Sequence, residues 1–266
     1  MMKKIKLFQV DAFTDKLFSG NPAAVCILDS WIGDEQMQRI ADENNLAETA
    51  FVVPIQQHYE IRWFTPTVEV DLCGHATLAS AFVLFSLIGR NDSFIRFYSP
   101  RSGWLAVEKK GEMLYLDFPT DTLEVLNSEQ SIAIEKCIGI KPLESLKGKT
   151  DYIAVVENET SLLSMQPDFS EISKLKARGL IVTAKGDKMD FVSRFFAPQS
   201  GINEDPVTGS AHTSLIPLWF EKSGNTKMIA KQLSKRGGTI YCEYKNERCM
   251  IGGNARLYLE GEINID

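Results

Sequence analysis

Histidine is scarce in this 266-residue chain: His58, His75 and His212 are its only three, and none sits at the spacing of a zinc motif. A histidine-based metal site is therefore not expected. The five cysteines, Cys26, Cys73, Cys137, Cys242 and Cys249, are odd in number and never spaced C-x-x-C, which favours reduced thiols over disulfides. Long basic runs are missing as well. Nothing exceeds the pairs Lys3-Lys4 and Lys109-Lys110, and the formal net charge is −6, so no nucleic-acid partner is expected. The best apolar stretch, "ATLASAFVLFSLIG", is too short to span a bilayer, and Gln9 and Asp11 interrupt the first residues before a signal-peptide core could form. These absences read as a cytoplasmic protein with no membrane partner. There is no G-x-x-x-x-G-K-S/T, strand-linked G-x-G-x-x-G, G-x-S-x-G or H-E-x-x-H motif, so no bound phosphate cofactor is indicated.

What is present is a repeat. "IRWFTP" at 61–66 returns as "SRFFAP" at 193–198, placing Arg62 and Arg194 132 residues apart. "DLCGHATLAS" at 71–80 is echoed by "DPVTGSAHTS" at 205–214, "YSPRSGWLAVE" at 98–108 by "LSKRGGTIYCE" at 233–243, and "LYLD" at 114 by "LYLE" at 257. The matches keep their order and predict two halves of one α/β design, residues 1–120 and 121–266, with the terminal strand the piece that could cross over. Each half reads as a strand, a surface helix, two strands, a helix opened by glycine, and strands joined by a tight turn.

The surface helix of the first half is "GDEQMQRIADENN", with Asp34 as its expected N-cap and Ile32, Met37 and Ile40 as a partial apolar stripe; its counterpart is "DFSEISKLKARG". The glycine-opened helix, Ala76 to Ile88, is apolar almost all round and belongs inside, with Gly89 ending it. Its second copy contains Pro217, which predicts a kink or an early stop. Residues 120–150 match nothing in the first half and are expected to hold one helix, "SEQSIAIEKCIG".

A helix N-terminus offers unpaired N–H groups to an anion, and glycine lets a ligand approach. Alone, Gly74 or Gly209 could simply permit a turn before a buried helix. As a pair related by the repeat, Gly74-His75 and Gly209-Ser210 become candidates for holding one anionic substrate. His75 is then a candidate polar group, His212 a structural one, and Asp205, in the turn leading to the second helix, a substrate-facing carboxylate ahead of its neighbour Glu204. Glu48 begins a strand with Ala50 and Val52 on its face, and an offset of 132 aligns it with Leu180. A carboxylate opposite an apolar residue is what a repeat with one asymmetric acid/base would show.

The segments "VDAFTDKLFSGNPAAV", "NLAETAFV", "DLCGHATLA" and "EDPVTGSAH" together resemble the PhzF-like phenazine biosynthesis family over nearly the whole chain. The resemblance implies the diaminopimelate epimerase-like fold: two pseudosymmetric α/β (α+β) domains, each a curled mixed β-sheet around a central buried helix. It further implies a cofactor-independent isomerase working in a cleft between domains, commonly as a homodimer. On this resemblance Glu48 is the proton shuttle, His75 and Asp205 are further polar site residues, the backbone at Gly74, Gly209 and Ser210 holds the carboxylate of a small-molecule substrate, and Asn21 lines the pocket. Epimerases of this fold use two opposed cysteines. Here Cys73 matches the first, but Thr208 stands at the second, and a hydroxyl cannot serve unaided as a thiolate-like base. The alternatives are an amino-acid epimerase or racemase using Cys73, and a non-catalytic binding protein on the same fold.

Overall fold

The computed structural model describes residues 3–90 and 92–265. The chain divides into two compact units, one made of residues up to Asp117 together with those from Gly252 onward, the other of Phe118–Ile251. The first begins with β1 (Lys3–Ala12), β2 (Asn21–Ile27), α1 (Asp34–Asn44), β3 (Glu48–Ile55), β4 (His58–Phe64) and β5 (Glu69–Val70). It continues with α2 (Gly74–Ser86), β6 (Phe94–Ser99), β7 (Gly103–Lys110) and β8 (Met113–Pro119), within which the chain passes to the second unit. There follow β9 (Glu124–Val125), α3 (Ser128–Ile138), β10 (Glu144–Lys147), β11 (Asp151–Val155), α4 (Glu159–Ser164), α5 (Phe169–Ile172), β12 (Gly179–Lys185) and β13 (Phe191–Phe196). The remaining elements are a 3₁₀ turn (Pro198–Ser200), α6 (His212–Ser223), β14 (Lys227–Gln232), β15 (Gly238–Lys245), β16 (Arg248–Gly253) and β17 (Ala255–Ile265).

Both units repeat one mixed-sheet pattern. In the first, β1–β2 is antiparallel, β2–β3 parallel, β3–β4 antiparallel, β4–β6 parallel and β6–β7 antiparallel. The second runs the same sequence through β10, β11, β12, β13, β14 and β15. Each sheet has a layer on one face. In the first, Met37, Ile40 and Ala41 of α1 pack on Cys26, Phe51, Val53 and Phe64. In the second, Ile134, Leu162 and Ile172 of α3, α4 and α5 pack on Tyr152, Ala154, Leu180 and Val182.

The central helices follow from their sequences. Of the thirteen residues of α2, eleven are buried, which its uninterrupted apolar run requires. Its two inward hydroxyls are satisfied locally, Thr77 Oγ1 donating to Cys73 O at 2.6 Å and Ser80 Oγ to Ala76 O at 2.7 Å. α6 keeps its length despite Pro217. The missing proline N–H would have left Thr213 O unpaired, and Asp121 N donates to it at 3.1 Å.

Several expectations need correction. Gly33, not Asp34, is the N-cap of α1, because the Asp34 carboxylate is drawn to Arg62 at 2.8 Å. α2 starts at Gly74, two residues earlier than expected, and closes at Ser86. The pairing of "LYLD" with "LYLE" joins strands that are not equivalent. The hairpin turns at Gly111 and Asn246 both have positive φ and keep the offset of the preceding strands, which makes β16 the counterpart of β8. β17 pairs instead with β1, Ile5 opposite Ile263 and Ala12 opposite Ala255, and β9 pairs in the same manner with β10. Residues from Gly252 onward therefore go with the first unit, the crossing over that the sequence left open for the terminal strand.

The partner of Glu48 also changes. Phe51 lies opposite Arg62, and Val182 opposite Arg194, so the β3-to-β12 offset is one less than the offset between the arginines. Face parity agrees: Phe51 and Val53 meet the outer layer of the first unit, Leu180 and Val182 that of the second. Glu48 lies on the opposite face, and its counterpart is Gly179. A Cβ at Gly179 would lie 2.5 Å from Phe195 Cζ and 2.8 Å from Phe196 O. The second unit thus fills with a phenyl ring the space beside the glycine.

Candidate active site

The first unit gathers Asn21, Glu48, Cys73, Gly74 and His75. Asn21 opens β2 and is fully buried. Gly20 delivers it there in a left-handed conformation, φ +69°, with any Cβ forced to 2.1 Å from Ala12 O, so only glycine fits. Buried Asp11 supports the same loop by accepting the N–H of Phe18 at 3.0 Å. Glu48 is the first residue of β3, set after left-handed Asn45 at the end of α1. Cys73 is the N-cap of α2, and Gly74 and His75 form its first turn.

His75 is the centre of the group. Asn21 Nδ2 lies 3.3 Å from His75 Nδ1, Cys73 Sγ 3.5 Å from the same nitrogen, and Glu48 Oε2 3.2 Å from His75 Nε2. An amide NH₂ can only donate, so with the Asn21 amide in this orientation Nδ1 is the accepting nitrogen and Nε2, on the side of Glu48, carries the hydrogen. The Glu48–His75 contact is within ion-pair distance but outside hydrogen-bond geometry. Side-chain exposure is 14% at Glu48 and 7% at His75, so the pair is nearly dry yet reachable from Glu48. Such a carboxylate can take a proton from carbon and return it, with the imidazole N–H steadying its charged form.

Glu48, Cys73 and His75 each bring one possible metal-ligand atom within 4.8 Å of the others, a donor set of the kind zinc accepts. The other thiols offer no alternative chemistry: burial pushes Cys26 up to about 12 and Cys137 to about 11, and all five cysteines are buried.

The second unit gathers Asp205, Thr208, Gly209 and Ser210 in the approach to α6. Asp205 Oδ2 accepts from Thr208 Oγ1. Gln232, fully buried on β14, closes the turn: its Oε1 accepts from Thr208 N at 2.8 Å and its Nε2 donates to Asp205 O at 2.8 Å. Glu204 is a structural residue, bidentate to Arg194 at 2.7 and 3.0 Å, just as Glu69 is bidentate to Arg62. His212 is structural too. Its Nδ1 donates to Thr208 O at 2.9 Å, and burial pulls the imidazole down to about 4 against the opposing effect of that bond.

The sequence reading missed Gln232, Arg178 and Asp151. Arg178 donates to both carboxylate oxygens of Asp151 and, through Nη1, to Ser210 Oγ at 2.9 Å. No local motif marks Arg178 and Asp151, because Asp151, Arg178 and Ser210 lie 27 and 32 positions apart in turn and meet only through parallel β11–β12 and the return of α6.

Residues 10–261 match the phenazine biosynthesis-like family PhzC-PhzF. A Pseudomonas aeruginosa protein named "uncharacterized isomerase" is 47% identical over 98% of this chain and 100% of its own length. A crystal structure of a PhzF-family phenazine biosynthesis protein from Enterococcus faecalis has a TM-score of 0.94 at 47% identity, covering 98% of this chain and 99% of that one. The fold extends to a predicted epimerase from Pseudomonas aeruginosa, TM-score 0.76 at 18% identity over 97% and 99% of the two chains. The ordered motifs, the repeated mixed sheet around buried α2 and matches spanning nearly every residue lead to one assignment: this chain belongs to the PhzF-like phenazine biosynthesis family.

Proposed function

We propose that the protein is an isomerase that moves a proton between carbons of a small cyclic or amino-acid-like carboxylic acid, needing neither cofactor nor metal. The observation that carries this reading is the Glu48–His75 pair at 3.2 Å, present in one unit and replaced by Gly179 and Ser210 at the matching places of the other. Glu48 takes the proton and returns it to a different carbon. His75 stabilises the carboxylate between the two steps, and Asn21 holds His75 in the tautomer that can do so. Each unit offers backbone N–H groups to an anionic group at a helix start, Gly74 in the first and Gly209 and Ser210 in the second, where helix ends favour negative charge, and Asp205 is given an amine or hydroxyl of the substrate. Relatives named as isomerases support the reaction class.

The test is carbon-bound hydrogen exchange in deuterium oxide over a panel of cyclic and amino-acid-like carboxylates. The wild type is expected to place deuterium at the rearranged carbon of a true substrate. Glu48→Gln is expected to bind it equally and to turn over roughly 10² to 10⁴ times more slowly, the range of general acid/base assistance. Near wild-type turnover by Glu48→Gln would overturn the proposal. Equal binding by both proteins with no exchange by either would favour a binding module.

A second reading has its own observation. Cys73 Sγ lies 3.5 Å from His75 Nδ1, close enough for the imidazole to take the thiol proton, as an epimerase using Cys73 would require. Thr208 at the opposite position, already engaged by Asp205 and Gln232, supplies no second thiol.

A further inference from the structure

Ser210 Oγ receives a hydrogen bond from a group that cannot accept one. Arg178 Nη1 donates to it at 2.9 Å, so the serine oxygen acts as acceptor and its own hydrogen must point elsewhere. Among the described residues no acceptor takes that hydrogen, and none takes the N–H of Gly209, Ser210 or Ala211, since the first bonds of the α6 turn are donated by His212 and Thr213. The guanidinium is itself fixed. Nε bonds Asp151 Oδ1 at 2.9 Å, Nη2 bonds Oδ2, its backbone N–H bonds Thr150 O at 2.7 Å, and its carbon lies 5.2 Å from the Phe195 ring centre. The Asp151 carboxylate is 3% exposed while the Arg178 side chain is 38% exposed. The pair is therefore anchored at the aspartate and open at the arginine.

This arrangement is confined to the second unit. The first holds His75 at the place of Ser210 and an alanine, Ala47, at the place of Arg178 by the β3-to-β12 register. One unit carries the proton-transfer pair, the other a permanent cation with an oriented hydroxyl.

We propose that Arg178 is a positioning residue for the substrate's anionic group: anchored by Asp151, it holds Ser210 Oγ as an acceptor so that the hydroxyl hydrogen is presented to a carboxylate at the start of α6. The inference rests on the reading of that helix start as the anion-binding end of the site, and it makes a carboxylate, rather than its amide, the preferred ligand. A guanidinium is needed because lysine cannot grip both Asp151 oxygens and Ser210 together.

Benzoate and its isosteric amide, benzamide, are the probes, titrated by NMR in the Glu48→Gln background so that binding is read without turnover. The Glu48→Gln protein is expected to prefer benzoate by tenfold or more. Arg178→Gln combined with Asp151→Asn leaves no lone buried charge, which keeps the fold testable, and is expected to cut that preference about tenfold, in line with a lost charge-assisted bond. Ser210→Ala should cut it similarly, and adding it to the Arg178 and Asp151 changes should cost little more, because the arginine acts through the serine. Arg178→Lys should not restore the preference. The inference is overturned if benzoate and benzamide bind alike before any change at Arg178, if the Arg178 change leaves the preference intact, or if the arginine and serine effects add fully. Failure of deuterium exchange with the benzoate preference intact would overturn the isomerase reading alone.

Discussion

Glu48 and Gly179 stand at matching places in the two units, one a carboxylate and the other a residue without a side chain. The carboxylate keeps its place beside an imidazole, whereas the glycine lets Phe195 come within the space any side chain would need. Cys73 is the residue whose role is most sharply contested. Its thiol touches His75 Nδ1, a nitrogen already served by Asn21, and nothing in the proton-transfer scheme requires it. Cys73→Ser is therefore expected to keep turnover within a few-fold of wild type, measured with whichever panel carboxylate exchanges. A loss of several orders of magnitude would identify a nucleophile or base and support the epimerase reading. The same assay after exhaustive chelation should be unchanged; loss restored by one added divalent metal would mean that Glu48, Cys73 and His75 do hold an ion.

At the scale of elements, α2 and α6 are built from the same position in the repeat but differ in how they tolerate polar groups. α2 returns its inward hydroxyls to its own carbonyls. α6 instead carries a fully buried imidazole, tilted against Phe191, whose ring centre lies 5.9 Å away. Burial lowers the His212 pKa to about 4 from 6.5, so the folded protein keeps it neutral while an unfolded chain protonates it. The stability held above pH 6.5 is consequently lost as pH falls toward 4, by roughly 3 kcal/mol if the whole difference is realised. His212→Asn can still donate to Thr208 O but does not titrate. Urea unfolding between pH 7 and pH 4 should therefore show a smaller fall for His212→Asn than for wild type; identical slopes would show that His212 contributes nothing to acid sensitivity.

At the scale of the whole molecule, the chain exchanges its strand ends between units. β8 leads into β9, which joins the second sheet beside β10, and β16 leads into β17, which joins the first beside β1. The two additions are unequal, two residues in β9 against eleven in β17. The first unit thus depends on the last segment of the chain, with Ile263 and Ile265 packing onto the α1 layer. A chain ending at Ile251 is expected to lose amide-exchange protection along β1 while β11, β12 and β13 stay protected, since their partners are all within Phe118–Ile251. Unchanged protection of β1 would show that β2 alone suffices to hold it.

The sequence by itself determined the class of the fold, because its signals are local. A helix apolar on every side must be buried, alternation marks strands, and a repeat of glycine-opened segments marks two copies of one unit. It also marked Glu48 and His75 as candidates by their places at a strand entry and a helix start, and Asn21 through the family resemblance that the ordered motifs carry. The tertiary structure decided what depends on register and on distant pairing. A one-residue difference between the β3–β4 and β12–β13 ladders moved the partner of Glu48 from Leu180 to Gly179, a shift that sequence alignment cannot detect because a slip by one changes the face, not the pattern. The choice of β16 over β17 as the counterpart of β8 was likewise made by hydrogen bonding to β1, hundreds of residues away in the chain. Asp151, Arg178 and Ser210 meet only when β11, β12 and α6 are assembled, and charge pairs formed over such separations leave no periodic trace for the sequence to show.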